Sequence, residues 1–84
     1  MSGKHDHIIL FYLFNNKTVT RLECDIVGLS LGAFLDAVAK LIYKNLVTSS
    51  QIVHEPKGGN TMVINQYELT SIGKIYASNL KGKL

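Results

Sequence analysis

Cysteine is nearly absent from this sequence. Cys24 is the only one, so no internal disulfide can form and the fold must hold without covalent staples. Proline occurs once, at Pro56, and charged residues make up 18% against 46% apolar residues. That balance excludes a disordered tail and describes a globular domain with apolar surface left over for a partner. Arginine is scarce as well: eight lysines stand against Arg21 alone. Lysine is a hydrated point charge suited to phosphates, whereas reading a guanine edge calls for the arginine fork. The apolar run over 8–14 has seven residues, far short of the roughly 20 that span a bilayer. No membrane association is expected. The N-terminus lacks a long apolar core with a cleavage site, and an intracellular, cytoplasmic protein is expected.

Signals of catalysis are missing too. There are no paired carboxylates, no Gly-rich phosphate loop after a strand, no His/Cys cluster and no nucleophile elbow, so no catalytic residue and no enzyme activity is expected. His5 and His7 flank Asp6, but no fourth ligand stands near, and neither a metal nor a cofactor is expected. His54 has no carboxylate or nucleophile at a recognisable spacing and reads as a solvated strand residue. Cys24 has no His or Lys placed to lower its pKa and reads as a small buried side chain.

What is present fits one domain over 1–84, with 1–5 and 82–84 as frayed ends. So short a chain buries only about 60–65% of its unfolded surface, and oligomerisation would add burial. The net charge of +3 favours an anionic partner.

The chain is organised around 31–46, LGAFLDAVAKLIYKNL. Ser30 can cap this helix after a turn at Gly28 and Leu29. At 100° per residue Leu31, Phe34, Val38, Leu41, Ile42 and Asn45 share the inner side, with Gly32, Asp36, Ala39, Lys40 and Tyr43 opposite. Before it, Asp6 caps a predicted helix over 7–14, and Thr18 or Thr20 caps a second over 21–27 whose buried side is Leu22, Cys24, Ile26 and Val27. After it, apolar runs over 51–54 and 61–69 bracket Glu55, Pro56, Lys57, Gly58, Gly59 and Asn60, which predicts a β-hairpin. Val63, Tyr67 and Leu69 fall on one face of its second strand, with Met62 and Ile64 on the other. Thr70 caps a last helix over 71–80 with Ile72, Ile75, Tyr76 and Leu80 on one stripe and Lys74 outside it. Lys81 and Lys83 suit the negative end of its dipole.

Residues 67–74, Tyr-Glu-Leu-Thr-Ser-Ile-Gly-Lys, resemble the Tyr-x-Leu-Thr-x-x-Gly segment, followed by Lys or Arg, that closes the wing and opens the last helix of MarR- and PadR-like proteins. Leu41 with Asn45-Leu46-Val47 is similar to their Leu-x-x-x-Gly-Leu followed by Val or Ile. Here Asn takes the glycine position, a mild departure because Asn tolerates the left-handed conformation. The resemblance covers about 8–81. It implies an α+β winged helix-turn-helix with three helices, a β-hairpin wing and a C-terminal helix, and a homodimer that binds duplex DNA and regulates transcription.

Carried over by position, the groove-facing residues would be Leu31, Gly32, Ala33, Leu35, Asp36, Ala39 and Lys40. This set departs from the pattern, because base reading needs Arg, Lys, Asn, Gln, Ser or Thr, and the face offers one lysine, one aspartate and small or apolar side chains. Two readings follow. In the first, Lys17, Arg21, Lys40, Lys44 and the wing residues Lys57, Gly58, Gly59 and Asn60 bind phosphates around a close-fitting helix with Gly32 and Asp36 on its outer side. In the second, an apolar arc from Ala37 through Phe34 to Leu35 and Leu46 spans about half the helix, wider than a single core face needs, and with Ala39 and Tyr43 beyond its edge it packs on another protein chain. The dimer or partner surface is then Ala39 and Tyr43 with Ile72, Ile75, Tyr76 and Leu80.

Overall fold

The computed structural model describes residues 4–82, with the side chain of Lys81 left out; 1–3 and 83–84, the outermost of the expected frayed ends, lie outside the described residues. Helix α1 (Lys4–Asn15) begins earlier than predicted and takes in His5. Asp6 is not its cap but a buried residue inside the first turn, and Asp6, Ile9, Leu10 and Leu13 form the inner stripe at helical spacing. Ile8 and Phe14 face outward, so the apolar run over 8–14 is only partly core.

A three-residue strand follows, β1 (Thr18–Thr20), which the sequence reading did not anticipate. The predicted helix over 21–27 resolves into a 3₁₀ turn (Arg21–Glu23) and a one-turn helix, α2 (Cys24–Val27). Thr20 caps it: its hydroxyl accepts from the Leu22 N–H at 3.2 Å, and the Glu23 carboxylate accepts from the Thr20 N–H at 3.0 Å. Leu22 and Ile26, expected inside, are 49% and 71% exposed. So short a helix has room to bury one side only, and Cys24 and Val27 take that side.

Gly28 closes α2 at φ +80°, and the Leu29 N–H donates to the Cys24 carbonyl at 2.9 Å. Its positive φ is what lets the chain reverse there. Ser30 then accepts from the Ala33 N–H at 3.2 Å and starts α3 (Leu31–Tyr43). This helix ends three residues before the predicted 46, because Asn45 adopts φ +63°. Its inner face is Phe34, Ala37, Val38 and Leu41; Leu31, Ile42 and Asn45, assigned to that face from the sequence, are exposed.

Strands β2 (Val47–His54) and β3 (Met62–Leu69) form the hairpin, and the sheet order is β1-β3-β2, all antiparallel. Residues 47, 49, 51 and 53 share one face with 63, 65, 67 and 69 through the pairs Val47↔Leu69, Ser49↔Tyr67, Gln51↔Asn65 and Val53↔Val63. Tyr67 turns that face toward α3, meeting Phe34 edge-on at 6.0 Å between ring centroids. Val47, Tyr67 and Leu69 at the base of the hairpin are core, but Val63, predicted to join them, is 60% exposed. It lines an open cleft with Leu35 of α3. Ile64, on the opposite face, is buried outside the main cluster.

The last helix, α4 (Ser71–Gly82), buries Gly73 and Ala77 and packs Leu80 against the core. The predicted stripe therefore splits: Leu80 faces inward, while Ile72, Ile75 and Tyr76 point outward at 60%, 64% and 37% exposure. The core lies between α1, α3, α4 and the sheet base, and the hairpin extends the molecule to 45 Å in its longest dimension against 24 and 21 Å in the others.

Candidate nucleic-acid interface

The segment Arg21–Val27 meets α3 at 104° across the three-residue break Gly28, Leu29 and Ser30. Two helices at about 90–120° on a short glycine-containing turn are the geometry of a helix-turn-helix. The second helix buries one face and turns the other to solvent: Leu31, Gly32, Leu35, Asp36, Ala39, Lys40 and Tyr43 are all exposed, Tyr43 at 92%. Lys44 caps the helix and is also exposed. Alongside, the hairpin carries Lys57, Gly58, Gly59 and Asn60 at an exposed tip, where the Gly59 N–H donates to the Pro56 carbonyl at 3.0 Å.

Arg21 joins this surface. It stands directly after β1, whose last residue Thr20 pairs with Gln66 of β3. With Leu35 of α3 and Gln51, Val63, Asn65 and Tyr67 of the hairpin it lines a cleft of about 290 Å³. The local backbone is held by the Thr20 cap and by the Tyr12 hydroxyl, which donates to Glu23 Oε2 at 2.8 Å. That hydrogen bond, with partial burial and the carboxylate charge, pushes the Tyr12 pKa above the ordinary tyrosine value.

Lys17 sits elsewhere. It occupies the turn before β1 at φ +28° and lines a separate cavity of about 500 Å³ with Leu13, Phe14, Glu68 and Lys74, at the far end of β1 from Arg21. The structure thus brings Arg21 beside Leu35 of α3 and the strands of the hairpin, and leaves Lys17 apart from them. Gln51 and Asn65 escaped the sequence reading. The signal was present in the strand alternation, which sets two amides between the apolar residues of the face that turns toward α3.

The triplet at the N-terminus does not assemble. Asp6 turns inward at 2% exposure, its Oδ2 without a hydrogen-bond partner among the described residues, whereas His5 is exposed. No group of three or more His, Cys, Asp or Glu side chains comes together among the described residues. Cys24 is half-buried. No single described helix is long and apolar enough to cross a membrane.

Helices α1 and α4 pack on each other and leave Ile8, Phe14, Ile72, Ile75 and Tyr76 exposed. Single exposed apolar residues are ordinary, whereas several large ones on two packed helices make a candidate contact surface.

No family model matches the chain, and no curated protein does. Solved structures do. A PadR family transcription regulator from Clostridium difficile superposes with a TM-score of 0.77 at 23% identity, over 96% of this chain and 86% of that one. SSV1 F-93 gives 0.66 at 24% identity, over 99% and 91%. ZitR of Lactococcus lactis, described as a zinc-responsive MarR family member, gives 0.72 at 19% identity, over 94% and 51%. The chain spans about half the length of the ZitR chains it matches. Element order, the 104° helix pair and these superpositions agree: the chain has the α+β fold of the winged helix-turn-helix proteins.

Proposed function

We propose that this protein binds duplex DNA as a homodimer and regulates transcription, with α3 in the major groove and the β2–β3 wing beside it. The observation that carries this reading is the exposed outer face of α3, set at 104° to the preceding helix and flanked by a wing with Lys57 at its tip. Lys40, Lys44, Lys57 and Arg21 supply phosphate contacts, and Gly32, Asp36, Gly58, Gly59 and Asn60 allow close approach around them. The names of the structural neighbours, transcription regulators of the PadR and MarR families, support the same role. Ile72, Ile75 and Tyr76, with Ile8 of α1, form the dimer surface; Leu80 supports it from the core side. The protein acts in the cytoplasm without a cofactor or catalytic step.

The test is binding to a random-sequence duplex, with the solution mass recorded in the same buffer. Salt-sensitive binding by a dimer supports the reading, and no binding by a folded dimer contradicts it.

One observation favours a second reading. Tyr43 is 92% exposed at the end of a helix face that also shows Leu31 and Leu35 at 47% and 42%. With Ala39, these residues make a face better suited to another protein than to bases. Under this reading Tyr43→Glu disrupts a complex or oligomer while duplex binding is absent from the start.

A further inference from the structure

We infer that the cleft between α3 and the wing seats one sugar-phosphate strand of the duplex, held by Arg21, Gln51 and Asn65. This rests on the DNA-binding reading above and says where the backbone contacts are made. A helix with its side chains is about 10–12 Å across and the major groove is about 12 Å wide, so an inserted α3 fills the groove. Whatever flanks the helix then meets the wall of the groove, and that wall is sugar and phosphate.

The cleft is built for such a strand. Gln51 and Asn65 are directly paired across β2 and β3, on the face that Tyr67 turns toward Phe34 of α3. Directly opposed side chains start about 5 Å apart, so the two amides stand side by side and offer two N–H donors each. Arg21 adds a permanent cation to the lining and Leu35 an apolar surface, which suits a sugar ring. Arg21, Gln51 and Asn65 are exposed, and none of the three has a side-chain hydrogen bond or ion pair among the described residues. The nearest acid in sequence does not compete: both Glu23 oxygens are engaged, one by Tyr12 and one by Thr20. Donors of this kind, held ready and unpaired, are what phosphate oxygens accept from.

Because a phosphate is the same at every base pair, the contact carries no sequence information. Arginine releases a counterion when it binds and the amides do not. The experiment measures affinity for two duplexes of unrelated sequence across a salt series, for the wild type and for Arg21→Ala, Arg21→Lys, Gln51→Ala and Asn65→Ala, with thermal unfolding confirming that each variant folds. Arg21→Ala is expected to lower the slope of log affinity against log salt by about 1 for each protomer bound, and Arg21→Lys to keep it. Gln51→Ala and Asn65→Ala are expected to weaken both duplexes equally, by about 10-fold, with the slope unchanged. Wild-type affinity in all four variants overturns the inference, since the cleft would then be empty in the complex. A loss confined to one duplex also overturns it, because the cleft would be reading bases. Failure of the wild type to bind either duplex overturns the DNA-binding reading itself.

Discussion

The Thr70 hydroxyl donates a hydrogen bond to the carbonyl oxygen of Asn45 at 2.7 Å, across 25 residues of sequence. The same hydroxyl accepts from the Gly73 N–H at 2.9 Å, and the Thr70 N–H donates to the Leu46 carbonyl at 3.0 Å. One side chain thus ties the end of α3 to the start of α4 and closes the base of the wing that lies between them in the chain. The direction in which the wing leaves the domain, and so its angle to α3, depends on this knot.

Gly73 completes the knot by close approach. A Cβ at this position would run into the carbonyl oxygen of Leu46, a backbone atom that cannot step aside. Gly73→Ala is therefore expected to cost about 3 kcal/mol or more, against about 1 kcal/mol for Thr70→Val, which loses only the cap and its bond to Asn45. Urea unfolding of the two variants checks the order; a Gly73→Ala variant as stable as wild type would contradict the packing described.

Tyr12→Phe tests the support beneath Arg21. The variant leaves Glu23 Oε2 without its donor and is expected to lose about 1 kcal/mol at neutral pH, discounted for partial exposure. Because the folded pKa of Tyr12 is raised, the stabilisation is fully present below the ordinary tyrosine pKa of about 10. It fades as pH rises through the higher folded value. Stability measured from neutral to strongly alkaline pH should converge for the two proteins at the alkaline end. A gap that widens with pH would contradict the assignment.

The outward stripe of α4 is expected to control self-association. Ile75→Glu places a charge in the middle of the proposed dimer surface and should weaken the dimer by about 10-fold or more, with little effect on folding because Ile75 is 64% exposed. Sedimentation across a concentration series reads this directly. An unchanged dimer would move the interface elsewhere, with Tyr43 the next residue to test.

Much of the architecture was legible because local chemistry and tertiary role coincide. Thr20, Ser30 and Thr70 cap helices, and Asn45 takes the left-handed position. The Pro-Gly-Gly cluster marks the tip of the hairpin. Strand β1 was not legible, since three residues carry no alternation and pair only because β3 is there. In α4 Gly73 lies inside because it packs against the Leu46 backbone at a distance that a Cβ would prevent, and Ile72, Ile75 and Tyr76 are exposed, as a partner surface on this stripe requires; of that set only Leu80 turns to the core. The inner face of α3 was the harder one to read. In α3 the apolar residues cover more than one face, and the partners that select Phe34, Ala37, Val38 and Leu41 come from elsewhere in the chain. The cleft residues Gln51 and Asn65 were hidden because the wing has to be placed against α3 before two surface amides acquire a common neighbour in Arg21.

The proposed role of the α3 and wing surface is to bind duplex DNA through its cations. The most direct measurement is the affinity of wild type, Lys40→Glu and Lys57→Glu for a random-sequence duplex over a salt series. Binding that falls steeply with salt in the wild type, and is weakened with a shallower slope in both variants, is the predicted result. Absent binding, or binding indifferent to salt and to both substitutions, would contradict the account and leave the outer face of α3 as a protein interface.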